Sequence, residues 1–153
     1  MRKFLVCIIS IIAISLFTPI TAKCENSNIA TVDADCYTLA NYINAERSNS
    51  GIAPYIWDDN LASDASIRAQ EISVSFSHTR PDGEKFWTVG NKCSYGENLS
   101  GGNDDITIPR KVVLGFMRSP THAANVLSMK FSHVGVAKYV ASDGEIYYAV
   151  EFY

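Results

Sequence analysis

This chain of 153 residues has no basic run or stripe, and its 13 Lys and Arg are outnumbered by 16 Asp and Glu, for a formal charge of −3. Without that positive footprint a nucleic-acid partner is not expected. HExxH, G-x-S-x-G, a Gly-rich phosphate loop and a paired-cysteine metal motif are all missing. Those absences remove the common local signatures of zinc proteases, serine hydrolases, nucleotide binders and zinc ribbons. Internal repeats and low-complexity tracts are absent too, and there are only three histidines, at 78, 122 and 133.

The one long apolar run is Phe4 to Phe17, behind the charged head Arg2-Lys3 and ahead of the small-residue stretch ending at Ala22. It is short for a membrane span and has the three-part pattern of a secretory signal peptide over residues 1–22. Lys23 beside Cys24 argues against a lipid anchor, so a secreted, extracellular product is expected. Cleavage removes 22 of the 153 residues and leaves 131, enough for one domain with its own core. Loss of Arg2 and Lys3 takes Lys plus Arg from 13 to 11 against 16 acids, a mature charge of −5. Of four cysteines Cys7 leaves with the leader, and Cys24, Cys36 and Cys93 remain. An odd set allows at most one internal bridge. Cys36–Cys93 and Cys24–Cys93 are both conceivable, and Cys36 also fits a buried, free position.

Residues 23–34 are polar and aperiodic and read as a linker, with the domain over 35–153. Asp33 or Asp35 caps a first helix in which Cys36, Leu39, Ala40 and Ile43 form an apolar stripe, with Gly51 beyond its end. "IAPYIW" is extended. Asp58 caps a second helix with Leu61, Ala62, Ala65, Ala69 and Ile72 inward, running to about Val74 and with its stripe closed by Phe76. "SHTRPDGEKF" is a loop, after which "EKFWTVG" gives a helical turn that buries Phe86 and Trp87. "NKCSYGENLSGG" is loop and short strand, and a third helix starts at Pro109. Pro120 breaks it, and His122 opens a second short helical segment. "HVGVAKYV" and "EIYYAVEFY", joined across Asp143-Gly144, form an antiparallel hairpin. Both faces of the last strand are mostly apolar, so helices must cover both sides of the sheet. The fold class is α+β, a helix–sheet–helix sandwich.

His78 and His122 follow the second and third helices, and Glu97 sits between glycines in "YGENLSGG". Two imidazoles and a carboxylate are a plausible ligand set for zinc or another divalent metal. The competing reading is a polar cluster that holds three loops together. Asn98 and Asn125 are read as organisers of local backbone, and His133 as a solvated residue at a strand edge.

In order along the chain, "INAERSNSGIAPYIWDDNLASDA", "FSHTRPDG", "YGENLSGG", "SPTHAANVL" and "HVGVAKY" resemble CAP-domain proteins (the SCP/TAPS superfamily). These include cysteine-rich secretory proteins, venom antigens, plant pathogenesis-related proteins and short secreted bacterial members. The resemblance runs from about Asp35 to Tyr153. It implies a three-layer α-β-α sandwich with a central antiparallel sheet, and a cavity where His78, Glu97 and His122 converge and where some members hold zinc or another divalent ion. A second family glutamate has no match in "IPRKVVLGFMRSP", which puts a tightly held metal in doubt. The resemblance implies no single reaction. A binding or interaction module for a small ligand, lipid, cell-wall component or host protein is expected, with a metal-dependent hydrolase as the alternative.

Overall fold

The computed structural model describes residues 33–90, 94–103 and 105–153. The expected leader, most of the linker, and Cys24 and Cys93 lie outside them. Helix α1 (Ala34–Asn49) is capped by Asp33, whose carboxylate accepts from the Asp35 amide at 2.8 Å. It ends at Ser50, with Gly51 in the left-handed region at φ 71°. Helix α2 (Asp59–Val74) is capped by Asp58, which accepts from the Asn60 and Leu61 amides. Helix α3 (Pro109–Arg118) starts with proline in its first turn, where a missing N–H costs nothing. Pro120 opens α4 (Pro120–Val126), which carries His122.

Strands β1 (Ile56–Trp57), β2 (Gly96–Gly102), β3 (His133–Val140) and β4 (Ile146–Phe152) form one sheet in the order β1-β3-β4-β2. The β3–β4 hairpin and the β2–β4 pair are antiparallel. Two-residue β1 runs parallel to β3, so the sheet is mixed rather than wholly antiparallel.

Helices cover both faces, as the apolar alternation of β4 requires. On one side Cys36, Leu39 and Ile43 of α1, and Val112 and Phe116 of α3, pack on Val134, Val136, Tyr148, Val150 and Phe152. On the other, Ala65, Ala69 and Ile72 of α2 meet Leu99, Ala137 and Ala149. Each large apolar side chain so buried contributes about 1.5–3 kcal/mol. The alanine face lets α2 lie directly on the sheet. A β-carbon added at Gly135 of β3 would come within 2.2 Å of the Ala62 nitrogen and the Leu61 carbonyl carbon. Glycine is required there by close approach of two backbones.

Two local expectations change. Phe76 lies past the end of α2 and is 59 % exposed, so it does not close the stripe. The helical turn is a single 3-10 turn, Phe86–Thr88, and Trp87 on it is 48 % exposed while Phe86 is half-buried. One turn has no opposite face to bury both rings. Of the readings the sequence leaves open for Cys36, the structure takes the buried, free thiol. Burial, then the Asp33 carboxylate, pushes it up to about 12.

Candidate functional site

The site is built outward from a buried arginine. Arg68 projects from the sheet-facing side of α2 and is fully buried. Its Nε donates to Glu97 Oε1 at 2.7 Å, and its Nη2 donates to the Ser77 carbonyl at 2.7 Å. Nη1 donates to Glu71 Oε2 at 2.5 Å, and Glu71 also receives Arg80 through Nε and Nη2. One guanidinium therefore fixes a strand residue, a helix residue and the loop carbonyl next to His78. Five fixed donors in a plane make arginine suited to that task.

His78 leans on this frame. Its Nδ1 lies 2.6 Å from Glu97 Oε2, while its side chain stays 56 % exposed and Glu97 is fully buried. A carboxylate on one ring nitrogen fixes the ring and directs the other nitrogen outward, the arrangement that supports metal-binding histidines. Phe86 stands edge-on to the ring with centroids 6.3 Å apart.

His122 is half-buried on α4, its ring 5.2 Å from that of Phe116. Its carbonyl accepts from Asn98 Nδ2 at 3.0 Å, and Asn125 Nδ2 donates to the Glu97 carbonyl at 3.1 Å and to Asn98 Oδ1 at 2.9 Å. The two asparagines thus lace α4 to the edge of β2, the backbone role expected of them. Burial, then the charge of nearby His78, holds His122 below the usual histidine range, so its imidazole is neutral at pH 7. His133 stands apart on β3, half-buried, with Nδ1 2.8 Å from Ser132 Oγ.

The three predicted residues are therefore not equivalent. The side chains of His78 and Glu97 are directly bonded, whereas His122 is tied to β2 only by its carbonyl, through Asn98. Both Glu97 oxygens are already engaged, and among the described residues no three His, Cys, Asp or Glu side chains converge as a metal-ligand set. Its direct bond to Nδ1 makes Glu97 the group that orients His78.

Sequence reading missed Arg68 and Glu151. Glu151 pairs with Glu97 across β4 and β2, is fully buried, and neither of its oxygens has a hydrogen-bond partner among the described residues. Burial, then the Glu97 charge, raises its carboxyl well above the carboxylate range, so it is held protonated. Because its folded pKa exceeds the unfolded one, its contribution is intact below about pH 4.3 and is lost as pH rises toward the folded value. Glu151→Gln, a mimic of the neutral form, should leave stability at pH 4 nearly unchanged. Near pH 8 it should raise stability, so the gain over wild type grows from pH 4 to pH 8 when read from urea unfolding at the two pH values.

Comparison with known proteins places this arrangement. The sequence profile of the cysteine-rich secretory protein family (CAP) matches residues 40–152. The chain belongs to that family. A relative, the uncharacterized protein YkwD of Bacillus subtilis, is 30 % identical over 135 residues, covering 81 % of this chain and 51 % of YkwD. The chain thus spans about half the length of that relative. An outer surface protein of Borrelia burgdorferi shares the CAP fold with a TM-score of 0.62 at 16 % identity, over 76 % of this chain and 89 % of that one. An extracellular protein of Bacillus anthracis that contains an SCP domain has a TM-score of 0.57 at 19 % identity, over 76 % and 40 %. Two further CAP neighbours, each with a TM-score of 0.55, were solved with metal. They are NaASP2 with Zn2+, at 13 % identity over 78 % and 82 % of the two chains, and manganese-bound Ac-ASP-7, at 14 % over 80 % and 70 %. Among the described residues no helix is long and apolar enough to cross a membrane.

Proposed function

We propose that this CAP chain is an exported, extracellular binding module, with residues 1–22 as its leader and 35–153 as its working domain. Its polar cluster takes a divalent transition metal, zinc being the best match, through the imidazoles of His78 and His122. The observation that carries this reading is the carboxylate–histidine pair built on a fully buried arginine. Orienting an exposed imidazole at the cost of burying two charges is expensive if the ring merely fills space. Neutral His122 adds a second nitrogen that needs no deprotonation before it binds.

The metal, when bound, would supply a Lewis-acidic point held by His78 and His122. Glu97 orients His78 and neutralises Arg68, and it has no free oxygen to serve as a general base. That occupancy supports binding over the hydrolase alternative.

Zinc titration by calorimetry near neutral pH tests the reading. Wild type should bind one ion, and His78→Ala and His122→Ala should each abolish the heat. Glu97→Gln should weaken binding by about 10–100-fold, the usual effect of losing such a supporting carboxylate. Equal heats in wild type and both histidine variants would overturn it.

A further inference from the structure

Beside His122 the fold leaves an open groove of about 730 Å³ between the edge of β2 and helix α3. Leu99 and Ser100 line one side, and Phe116, Gly115 and Arg118 line the other. β2 is a terminal strand, bonded to β4 alone. The direction of its backbone groups follows from the hairpin. His133 and Tyr153 exchange both amide–carbonyl bonds, at 2.9 and 3.1 Å, so the odd-numbered residues of β4 face β3 and the even-numbered ones face β2. In the register of β2 on β4, Glu97, Leu99 and Gly101 stand opposite odd-numbered residues and direct their N–H and C=O groups away from the sheet. The Glu97 carbonyl is taken by Asn125. Among the described residues nothing pairs with the outward groups of Leu99 and Gly101.

We propose that this groove receives an extended peptide segment, which adds a fifth strand to β2 at Leu99–Gly101 and places a carboxylate on Arg118. Main-chain pairing to an open edge gives affinity, and the groove walls select side chains. Among the described residues the lining holds two cations, Lys111 and Arg118, and no Asp or Glu, on a chain whose formal charge is −3. Lys111 is already bonded to Asp105 at 2.6 Å, whereas Arg118 has no carboxylate partner among the described residues. An acyl chain in the same place would cover the outward amides and carbonyls without pairing them, a penalty that a peptide avoids. Gly115 keeps the α3 wall low. A β-carbon there meets nothing within 4 Å, so bulk added at this position enters the groove and not the protein.

The inference rests on the binding-module reading but not on the imidazole pair, and its test separates the two. ¹⁵N-labelled protein is titrated with an acetylated peptide of alternating valine and threonine that ends in a free carboxylate, and in parallel with dodecanoate. The peptide should shift the Leu99 and Gly101 amide resonances and slow their exchange with solvent. Gly115→Leu should abolish the shifts while leaving the melting temperature equal or higher, since glycine is a poor helix former. Arg118→Ala, and amidation of the peptide end, should each weaken binding about fivefold, and the two together no further. His78→Ala should lose zinc and keep the peptide. Unmoved Leu99 and Gly101 amides at millimolar peptide, wild-type binding by Gly115→Leu, or dodecanoate bound in preference to the peptide would each overturn the proposal.

Discussion

Arg68→Ala should lower the stability of the domain by about 3–5 kcal/mol, because it strands the Glu97 charge in a site with no access to water. In a domain of this size that corresponds to a drop in melting temperature of roughly 10–20 °C. Glu97 would lose its 2.7 Å partner, Glu71 its helical neighbour and the Ser77 carbonyl its donor in one step. The paired variant Arg68→Met with Glu97→Gln removes both charges and should recover much of the loss. A double-mutant cycle by urea unfolding measures the coupling, and simple additivity of the two single changes would refute the buried-pair account. His78 should also lose its fixed orientation in Arg68→Ala, so zinc affinity falls beside stability. The paired variant restores the second without the first.

Arg47→Ala should cost a similar amount, about 3–5 kcal/mol, for a different reason. This guanidinium is 3 % exposed and has no carboxylate partner among the described residues; it is satisfied by carbonyls. Its Nε donates to Ala53 at 2.7 Å, and its Nη1 donates to Val126 at 2.9 Å and Ser128 at 2.7 Å, while its carbon lies 3.5 Å over the Tyr55 ring. Those carbonyls lie in the segment after α1 and at the C-terminal end of α4, where a cation also complements the helix dipole. Removing the side chain leaves them buried and unpaired and opens a cavity. Lysine cannot span them, so Arg47→Lys should recover less than half of the loss in urea unfolding. Because α4 carries His122 and Asn125, the substitution should also broaden the His122 ring resonances. Stability indistinguishable from wild type would refute this role.

These arginines show where sequence reading stops. The helices and the hairpin were legible because the apolar residues keep a strict period: Leu39, Ala40 and Ile43 on α1, Leu61, Ala65 and Ile72 on α2, and alternation along β4. His78, Glu97 and His122 were legible as ordered motifs outside the long periodic segments. Arg47, Arg68 and Glu151 were passed over because a charge reads as a break in an apolar stripe. Each is in fact in phase with its stripe, Arg47 four residues after Ile43 and Arg68 four before Ile72, and Glu151 shares its face of β4 with Ala149. A lone charge at a core position of an otherwise apolar period is the signal that would have found them. The division of labour within the site was beyond such a rule. That Glu97 serves His78 depends on which oxygens Arg68 occupies, a matter of ångströms that spacing cannot carry. The two-residue parallel strand β1 is likewise set by tertiary pairing with His133 and Val134 and not by any period of its own.

The rung shared by Glu97 and Glu151 also bears on how the chain avoids assembling wrongly. A strand as short and glycine-rich as β2 has little hydrophobic patterning to fix its alignment, and slippage is the usual failure of such strands. Slid by one residue, β2 would turn Glu97 toward the aliphatic layer under α1 and α3. Slid by two, it would set Glu97 beside Ala149, out of reach of the arginine waiting on α2. Only one alignment matches the carboxylate to its guanidinium, so the Glu97–Arg68 pair acts as a registration key for the sheet, discarding misaligned pairings that aliphatic contacts alone would tolerate.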